Sequence, residues 1–464
     1  MIKNKFFILY FFIPIVSYSQ NWVPLDKGFN SFVRCVYHDS LSGLIYAGGD
    51  FGKAADSTVM GIAFWDGNEW QSLGLGMDAQ HSSGFPNHVQ SILRYGNDIY
   101  ACGGFNQAGT IYTDYIAKWD GLQWDSLSSR FNSTPFRFRI IDNELYICGT
   151  FDTVGNIVCN GLIKWNGSQF SNVGNLPRFD TTEFGEVNTI TDVIKFQDKI
   201  YIAGNFHGVD GLSSIAYLDS GTWKPLHNGV VGTFAYVTCM AEFNGELYVS
   251  GLFTKQEGNT GDHIQKWNGV SWSEPGNGLF SNGVFSQVNA LIVLKNHLIA
   301  VGSFELAGGV PAERIAMYDG QIWCGLGSHF NNTLLSIEVI DSTFIICGGF
   351  TTIDGDTMNY ISKWTGGSIV DTCSSLIGIN PLDQEEYIFF PNPCMQYLTI
   401  KVPDNPTKAH VILVKNLLGI TVASITLLTD QEKYTFNSVT WPSGIYFVEV
   451  QTDQGRAVKK IIKE

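Results

Sequence analysis

Short apolar runs, broken by Gly, Asn and Asp, follow one another along most of the chain, and two of them recur in step. The first reads apolar–apolar–small–Gly–x–Phe. It begins at Tyr46-Ala47-Gly48-Gly49-Asp50-Phe51 and recurs in units ending at Phe105, Phe151, Phe206, Phe253, Phe304 and Phe350. The second is cleanest at Ile116-Ala117-Lys118-Trp119-Asp120-Gly121-Leu122-Gln123-Trp124. Its other copies centre on Trp65, Trp165, Leu218, Trp267, Tyr318 and Trp364, at intervals of 46 to 54 residues. Brief apolar runs bounded by turn residues are strand signals, and a fixed period of this length marks a repeat architecture.

Each unit divides into four strands. In the second they are predicted over Val89–Arg94, Asp98–Gly103, Ile116–Trp119 and Gln123–Leu127. The turns Tyr95-Gly96-Asn97-Asp98 and Trp119-Asp120-Gly121-Leu122 supply the positive φ that tight hairpins need. Four antiparallel strands in every fifty residues or so make a propeller blade. Four units end on Trp-x-x-Leu, extended to Trp-x-x-Leu-x-x-Gly in Trp70 to Gly76 and Trp223 to Gly229, but the seventh runs out at Gly366-Gly367-Ser368-Ile369 without one. Trp22-Val23-Pro24-Leu25-Asp26-Lys27-Gly28 stands alone ahead of the first unit. The pattern therefore predicts an all-β chain. Its main part is a seven-bladed β-propeller closed by an N-terminal strand, which leaves no sheet edge open.

The small-Gly-Gly strand end, the aromatic-Asp/Asn pair and a Trp five residues later resemble kelch-type repeats. Tyr318-Asp319-Gly320-Gln321-Ile322-Trp323 is the nearest copy. The glycine pair is intact only at Gly48-Gly49, Gly103-Gly104 and Gly348-Gly349, and Trp replaces the usual Tyr in most copies. Kelch-like propellers, the galactose-oxidase type among them, include both binding modules and enzymes, so the resemblance implies a fold and leaves function open.

The repeat also explains residues that would otherwise look functional. Recurrent Trp and Phe are expected as core between blades. Cys102, Cys148 and Cys347 share a slot filled elsewhere by Gly48, Ala203, Ser250 and Val301, and Cys35 and Cys239 share one held by Ser91. Such slots ask for small size, so these five read as buried thiols. A Cys324–Cys373 bridge is a further option, and the nine cysteines leave the disulfide state open.

Periodicity changes after Val370. Residues 371–386 read as a linker, and a second β pattern covers 387–464. It holds Phe389-Phe390-Pro391-Asn392-Pro393, the alternating Gly444-Ile445-Tyr446-Phe447-Val448-Glu449-Val450, and the basic end Lys459-Lys460-Ile461-Ile462-Lys463. In order and spacing these resemble a type A sorting domain of the type IX secretion system. The resemblance implies an immunoglobulin-like β-sandwich, with the secretion machinery as its partner. It also implies passage across the outer membrane, followed by release or attachment at the cell surface. At the other end, Lys3 and Lys5, the apolar run Phe6 to Val16 and small residues before Gln20 predict a signal peptide over 1–19. The propeller then covers 20–370. No segment is long and apolar enough to be read as a transmembrane helix.

Charge narrows the partners. The net charge is −15; the leader carries +2 and the part from Glu386 onward +1, leaving −18 on the middle of the chain, the repeats and linker together. A surface of that sign repels phosphate backbones, so nucleic acid is not an expected partner. The nine histidines show no metal-ligand spacing, and no cofactor motif is present, so no cofactor is expected. Asp219-Ser220-Gly221-Thr222-Trp223 is a single incomplete relative of the Asp-box of sialidases. Arg34, Arg94, Arg137, Arg139, Arg178 and Arg314 show no spacing that groups three of them. The longest connections, Phe105–Tyr115, Met77–His88 and Asn175–Thr191, are expected as loops on one face. The last two carry Phe85, Arg178, Phe179, Asp180, Glu183 and Phe184, a mixture of aromatic rings and charge suited to glycan or protein recognition. The leading expectation is an exported, non-enzymatic binding or adhesion propeller. Its alternative is a carbohydrate-active hydrolase or lyase acting in the propeller pocket.

Overall fold

A computed structural model describes residues 22–78, 88–178, 189–207, 211–227, 229–232, 235–281, 286–365, 388–401, 410–416, 421–427, 433–452 and 455–464. The expected signal peptide and linker, and Cys373 with the bridge considered for it, lie outside them. The fold is all-β, built of many small antiparallel sheets, and divides into two compact units, Met1–Gly367 and Ser368–Glu464.

Seven sheets of the first unit have four strands each. In one, Val89–Tyr95, Asp98–Gly103, Ile116–Trp119 and Trp124–Ser126 lie side by side in chain order. The third and fourth strands meet through a ring pair at one register position. Trp65 faces Trp70, Trp119 faces Trp124, Trp267 faces Trp272 and Tyr318 faces Trp323. In the sheet that begins at Leu334–Ile340, the strand Trp22–Pro24 takes the fourth place, and Trp22 faces Trp364 in that same register. A tryptophan 342 positions earlier in the chain thus fills the slot that a local hairpin fills in the other sheets.

Apolar cores lie between sheets. Cys35, Tyr46 and Ile62 pack with Ile92, Ile99 and Ala117 of the following sheet. Ile340, Ile345 and Ile361 pack with Val36, Ala47 and Ala63, which joins the last of the seven sheets to the first. Outer tryptophans tie the same neighbours together. Trp70 donates its indole N–H to the Leu25 carbonyl, Trp124 to Leu73, Trp223 to Val173 and Trp323 to Pro275, at 2.9–3.1 Å. A buried indole N–H left without an acceptor is costly, and these turns provide the acceptor.

The invariant glycine of the first motif has a steric cause. A side chain at Gly49, Gly149, Gly204, Gly251, Gly302 or Gly348 would place its Cβ 1.9–2.3 Å from a backbone carbonyl oxygen of the neighbouring first strand. At Gly302 that oxygen belongs to Gln287, and it accepts the Ser303 N–H at 2.9 Å. The carbonyl is turned toward the glycine because every first strand carries a β-bulge here. Register skips one residue in each sheet: Arg34, Gln90, Phe136, Thr191, Thr238, Asn289 and Leu335. Bulges re-aim side chains and commonly sit beside sites.

Phe105–Tyr115, expected as an open loop, is instead a small hairpin of Gln107–Ala108 with Ile111–Tyr112, and Gln107–Ala108 pairs in turn with Met77–Asp78. Ladders of two residues are too short to show strand alternation in a sequence.

The second unit holds two sheets. One orders Ile388–Phe390, Tyr397–Lys401 and Lys433–Asn437; the other Thr421–Leu427, His410–Asn416, Gly444–Thr452 and Gly455–Lys463. Both feed one apolar core, in which Leu398, Ile400 and Phe436 meet Tyr446, Val448 and Val450. Tyr446, Val448 and Val450 are alternate residues of one strand, as a strand with one buried face requires.

Candidate functional site

All seven bulge residues line a single cavity of about 630 Å³, together with neighbouring residues of five of the seven first strands. Hydrogen bonds from these residues pass from one sheet to the next and hold the rim. Thr191 Oγ1 donates to the Val237 carbonyl at 2.7 Å, Thr238 Oγ1 to Val288, and Asn289 Nδ2 to Leu334 at 2.7 Å. Each acceptor is the residue just before the next bulge.

Most of the lining is small or apolar, but three arginines and one glutamate face it: Arg34, Arg137, Arg139 and Glu338. Arg34 is held by Asp50, its NH2 donating to Oδ2 at 2.8 Å. Arg139 makes a two-pronged contact with Asp192, 2.9 Å at both oxygens. Asp192 is fully buried and also accepts the Met240 N–H at 2.9 Å. Burial pushes its carboxyl up, yet Arg139 and Arg137 hold it below the ordinary carboxylate value. The same contact raises the Arg139 guanidinium. Arg137 is engaged differently. Its Nε–H donates to the Thr191 carbonyl at 3.0 Å, and its closest approach to Asp192 is 3.7 Å. Its terminal nitrogens have no hydrogen-bond partner among the described residues, and the side chain is 30% exposed.

Glu338 sits at the wall where the last sheet meets the first and accepts the His38 N–H at 3.3 Å. Burial pushes its carboxyl up to about 7, against a smaller lowering by Arg139, and Tyr37 feels its charge. The consequence for stability has a definite sign. The folded-state pKa lies above the ordinary 4.5, so the unfolded chain loses this proton first and stability falls as pH rises from about 4.5 to about 7. Glu338→Gln should remove that slope and stabilise the protein above it by at most about 3 kcal/mol. Urea midpoints of the two proteins at about pH 5 and pH 8 check this; a gap between them that fails to widen at the higher pH refutes it.

Of the residues expected to bind ligand, Arg178 is exposed at the end of a described segment. Phe85, Phe179, Asp180, Glu183 and Phe184 lie outside the described residues. Three of the six arginines noted in the sequence do converge, though spacing did not reveal it. The available signal was alignment of the first strands: Arg137 and Asp192 fill the slot that Cys35, Ser91, Cys239, Ala290 and Ser336 fill elsewhere. Opposite charges in one slot of consecutive repeats mark a pair formed between sheets. The five cysteines of the repeat slots are all buried, and burial raises the thiol pKa of each, as the small-residue reading expects. Among the described residues, no three His, Cys, Asp or Glu side chains gather as a metal site.

In the second unit, Asn392 of the Pro-Asn-Pro segment accepts the Ile462 N–H at 2.9 Å, and Cys394 and Ile462 are joined by a backbone bond of 2.8 Å. The opening of this domain is thereby fastened to its basic end.

The model of one family, described as a secretion system C-terminal sorting domain, matches residues 388–464. No curated protein matches the chain. The sorting domain is of the type IX system and makes the chain an exported protein, secreted or held at the cell surface. No helix among the described residues is long and apolar enough to cross a membrane.

Proposed function

We propose that the exported chain is a binding protein whose seven four-stranded sheets are the blades of a kelch-like propeller, closed by the Trp22 strand, with the ligand entering the central cavity. The observation that carries this reading is the convergence of seven bulged first strands on one space of about 630 Å³. That size suits a small molecule or the tip of a larger glycan or peptide. The polar contacts in it recur at bulge positions, where a repeat can vary one side chain without disturbing the core. Phe85, Arg178, Phe179, Asp180, Glu183 and Phe184 are proposed to extend contact to larger ligands.

A second reading, a lyase acting on an acidic polysaccharide, is favoured by one observation: Glu338, with its raised pKa, shares the cavity with three arginines. A two-carboxylate glycosidase fits less well, because Asp50 and Asp192 are already engaged by arginines.

The test is a screen of the full exported chain on glycan and peptide arrays, beside Gln90→Trp, which fills the cavity from a bulge position. Retention by the parent protein that is lost in the variant supports the binding reading. Turnover of an acidic polysaccharide without retention replaces it with the lyase, and retention unaffected by the variant moves the site out of the cavity.

A further inference from the structure

We infer that the cavity recognises a carboxylate-bearing sugar, a uronic acid residue in particular, and that Arg137 is the group that grips the carboxylate. The inference rests on the binding reading above and names its ligand class.

Three observations converge on it. The first is charge. Arg34 is matched by Asp50, but Arg137 and Arg139 share the single carboxylate of Asp192, so that cluster keeps one positive charge beyond its acids. A surplus cation on the wall of an enclosed space attracts an anion, and this one, 30% exposed, faces the cavity.

The second is geometry. Asp192 is taken up by the two-pronged bond to Arg139 and by the Met240 N–H, leaving Arg137 a distant ion contact at 3.7 Å. With Nε fixed on the Thr191 carbonyl, the guanidinium is oriented while its terminal N–H groups remain available. A planar fork held in this way suits two parallel hydrogen bonds to a carboxylate. Its orientation is set before binding, so little side-chain freedom is lost when a ligand arrives.

The third is the remaining lining. Gln90 and Ser336 face the same space and offer amide and hydroxyl groups of the kind that pair with sugar hydroxyls. Leu335 and Phe136 supply apolar wall. Glu338 shares the wall but is held protonated up to about pH 7, so one unmatched cation among neutral polar groups fits a monoanionic sugar better than a phosphate, which carries more charge, or a neutral sugar, which would leave Arg137 unmatched.

Calorimetry on the full exported chain tests this with glucuronate and galacturonate, using glucose and galactose as neutral counterparts. The acids should bind at least about tenfold more tightly than the neutral sugars, and Arg137→Gln should weaken the acids about tenfold or more with little effect on the neutral pair. In the wild-type protein alone, affinity for the acids should fall with added salt while that for the neutral sugars does not. This second readout stands even where Arg137→Gln fails to fold. Equal affinity for acid and neutral sugars overturns the carboxylate assignment and leaves the binding reading intact. Acid binding that is unchanged by Arg137→Gln overturns the role of Arg137. Binding of none of the four sugars overturns the ligand class, and the array screen with Gln90→Trp then decides separately whether the cavity binds anything.

Discussion

Replacing Trp22 by Ala should lower the unfolding free energy of the first unit by about 3–5 kcal/mol. Trp22 is completely buried and packs edge-on against Trp364 at 4.9 Å, Phe330 at 5.5 Å and Phe344 at 6.0 Å. Its indole N–H donates to Ser328 Oγ at 2.8 Å. Removing the ring opens a void the size of an indole among three aromatic neighbours and leaves that hydroxyl without its donor. The damage should also spread, because the strand Trp22–Pro24 has only three residues and pairs with Ile361–Trp364 alone. Its neighbour Leu25 gives its carbonyl to Trp70, so detachment strands a second indole in the first sheet. Trp124 fills the same slot in another sheet, but its strand is fastened by a hairpin to Ile116–Trp119. Trp124→Ala should therefore cost a comparable packing energy without releasing its strand. Urea unfolding gives the energies, and amide exchange at Ile361–Trp364 separates the two cases: protection there should collapse in Trp22→Ala and persist in Trp124→Ala. A loss under about 1 kcal/mol for Trp22→Ala would mean that the pairing does not support the fold.

Much of this arrangement was legible in the chain because repetition amplifies weak signals. One Trp-x-x-Leu-x-x-Gly segment says little, but a lone copy ahead of the first unit, set against a missing copy in the seventh, points to a partnership between distant ends. Sheet interiors were readable for the same reason, since a slot filled by Cys, Gly, Ala, Ser or Val can only be a small buried position. The sorting domain was readable from Pro391-Asn392-Pro393 and the Gly444–Val450 strand, whose spacing the fold requires.

The cavity chemistry was harder to see. Arg34, Arg137, Arg139 and Glu338 come from three strands more than fifty residues apart at the nearest, and what unites them is a place on a first strand at its bulge or within three residues after it. A bulge adds one residue without altering composition or alternation enough to be noticed. The pairing of Arg139 with Asp192 also crosses from one sheet to the next. Within-sheet pairs such as Lys118 with Asp98, Lys164 with Glu144 and Lys266 with Glu246 recur twenty residues apart in three of the repeats, so the common ion pairs conceal the uncommon one.

That uncommon pair carries the other large expected effect. Asp192→Ala should destabilise the first unit by about 3–5 kcal/mol, since it leaves Arg139 and Arg137 facing each other beside an apolar wall with no carboxylate between them. The Met240 N–H would lose its acceptor as well. Asp50→Ala offers the contrast: Asp50 is 12% exposed where Asp192 is fully buried, and it neutralises one guanidinium, Arg34, not two. Its loss should be clearly smaller. Acid adds a second readout with a worked sign. The folded-state pKa of Asp192 is depressed, so its contribution is present above the ordinary carboxylate value and is lost as pH falls through the folded-state value. Wild-type protein should thus converge on Asp192→Ala in strong acid and stand furthest above it near neutrality. A double-mutant cycle with Arg139→Ala isolates the pair itself. If Asp192→Ala costs no more than Asp50→Ala, or if the gap to wild type is unchanged by acid, then Asp192 is not the counter-ion that holds the two arginines at the cavity wall.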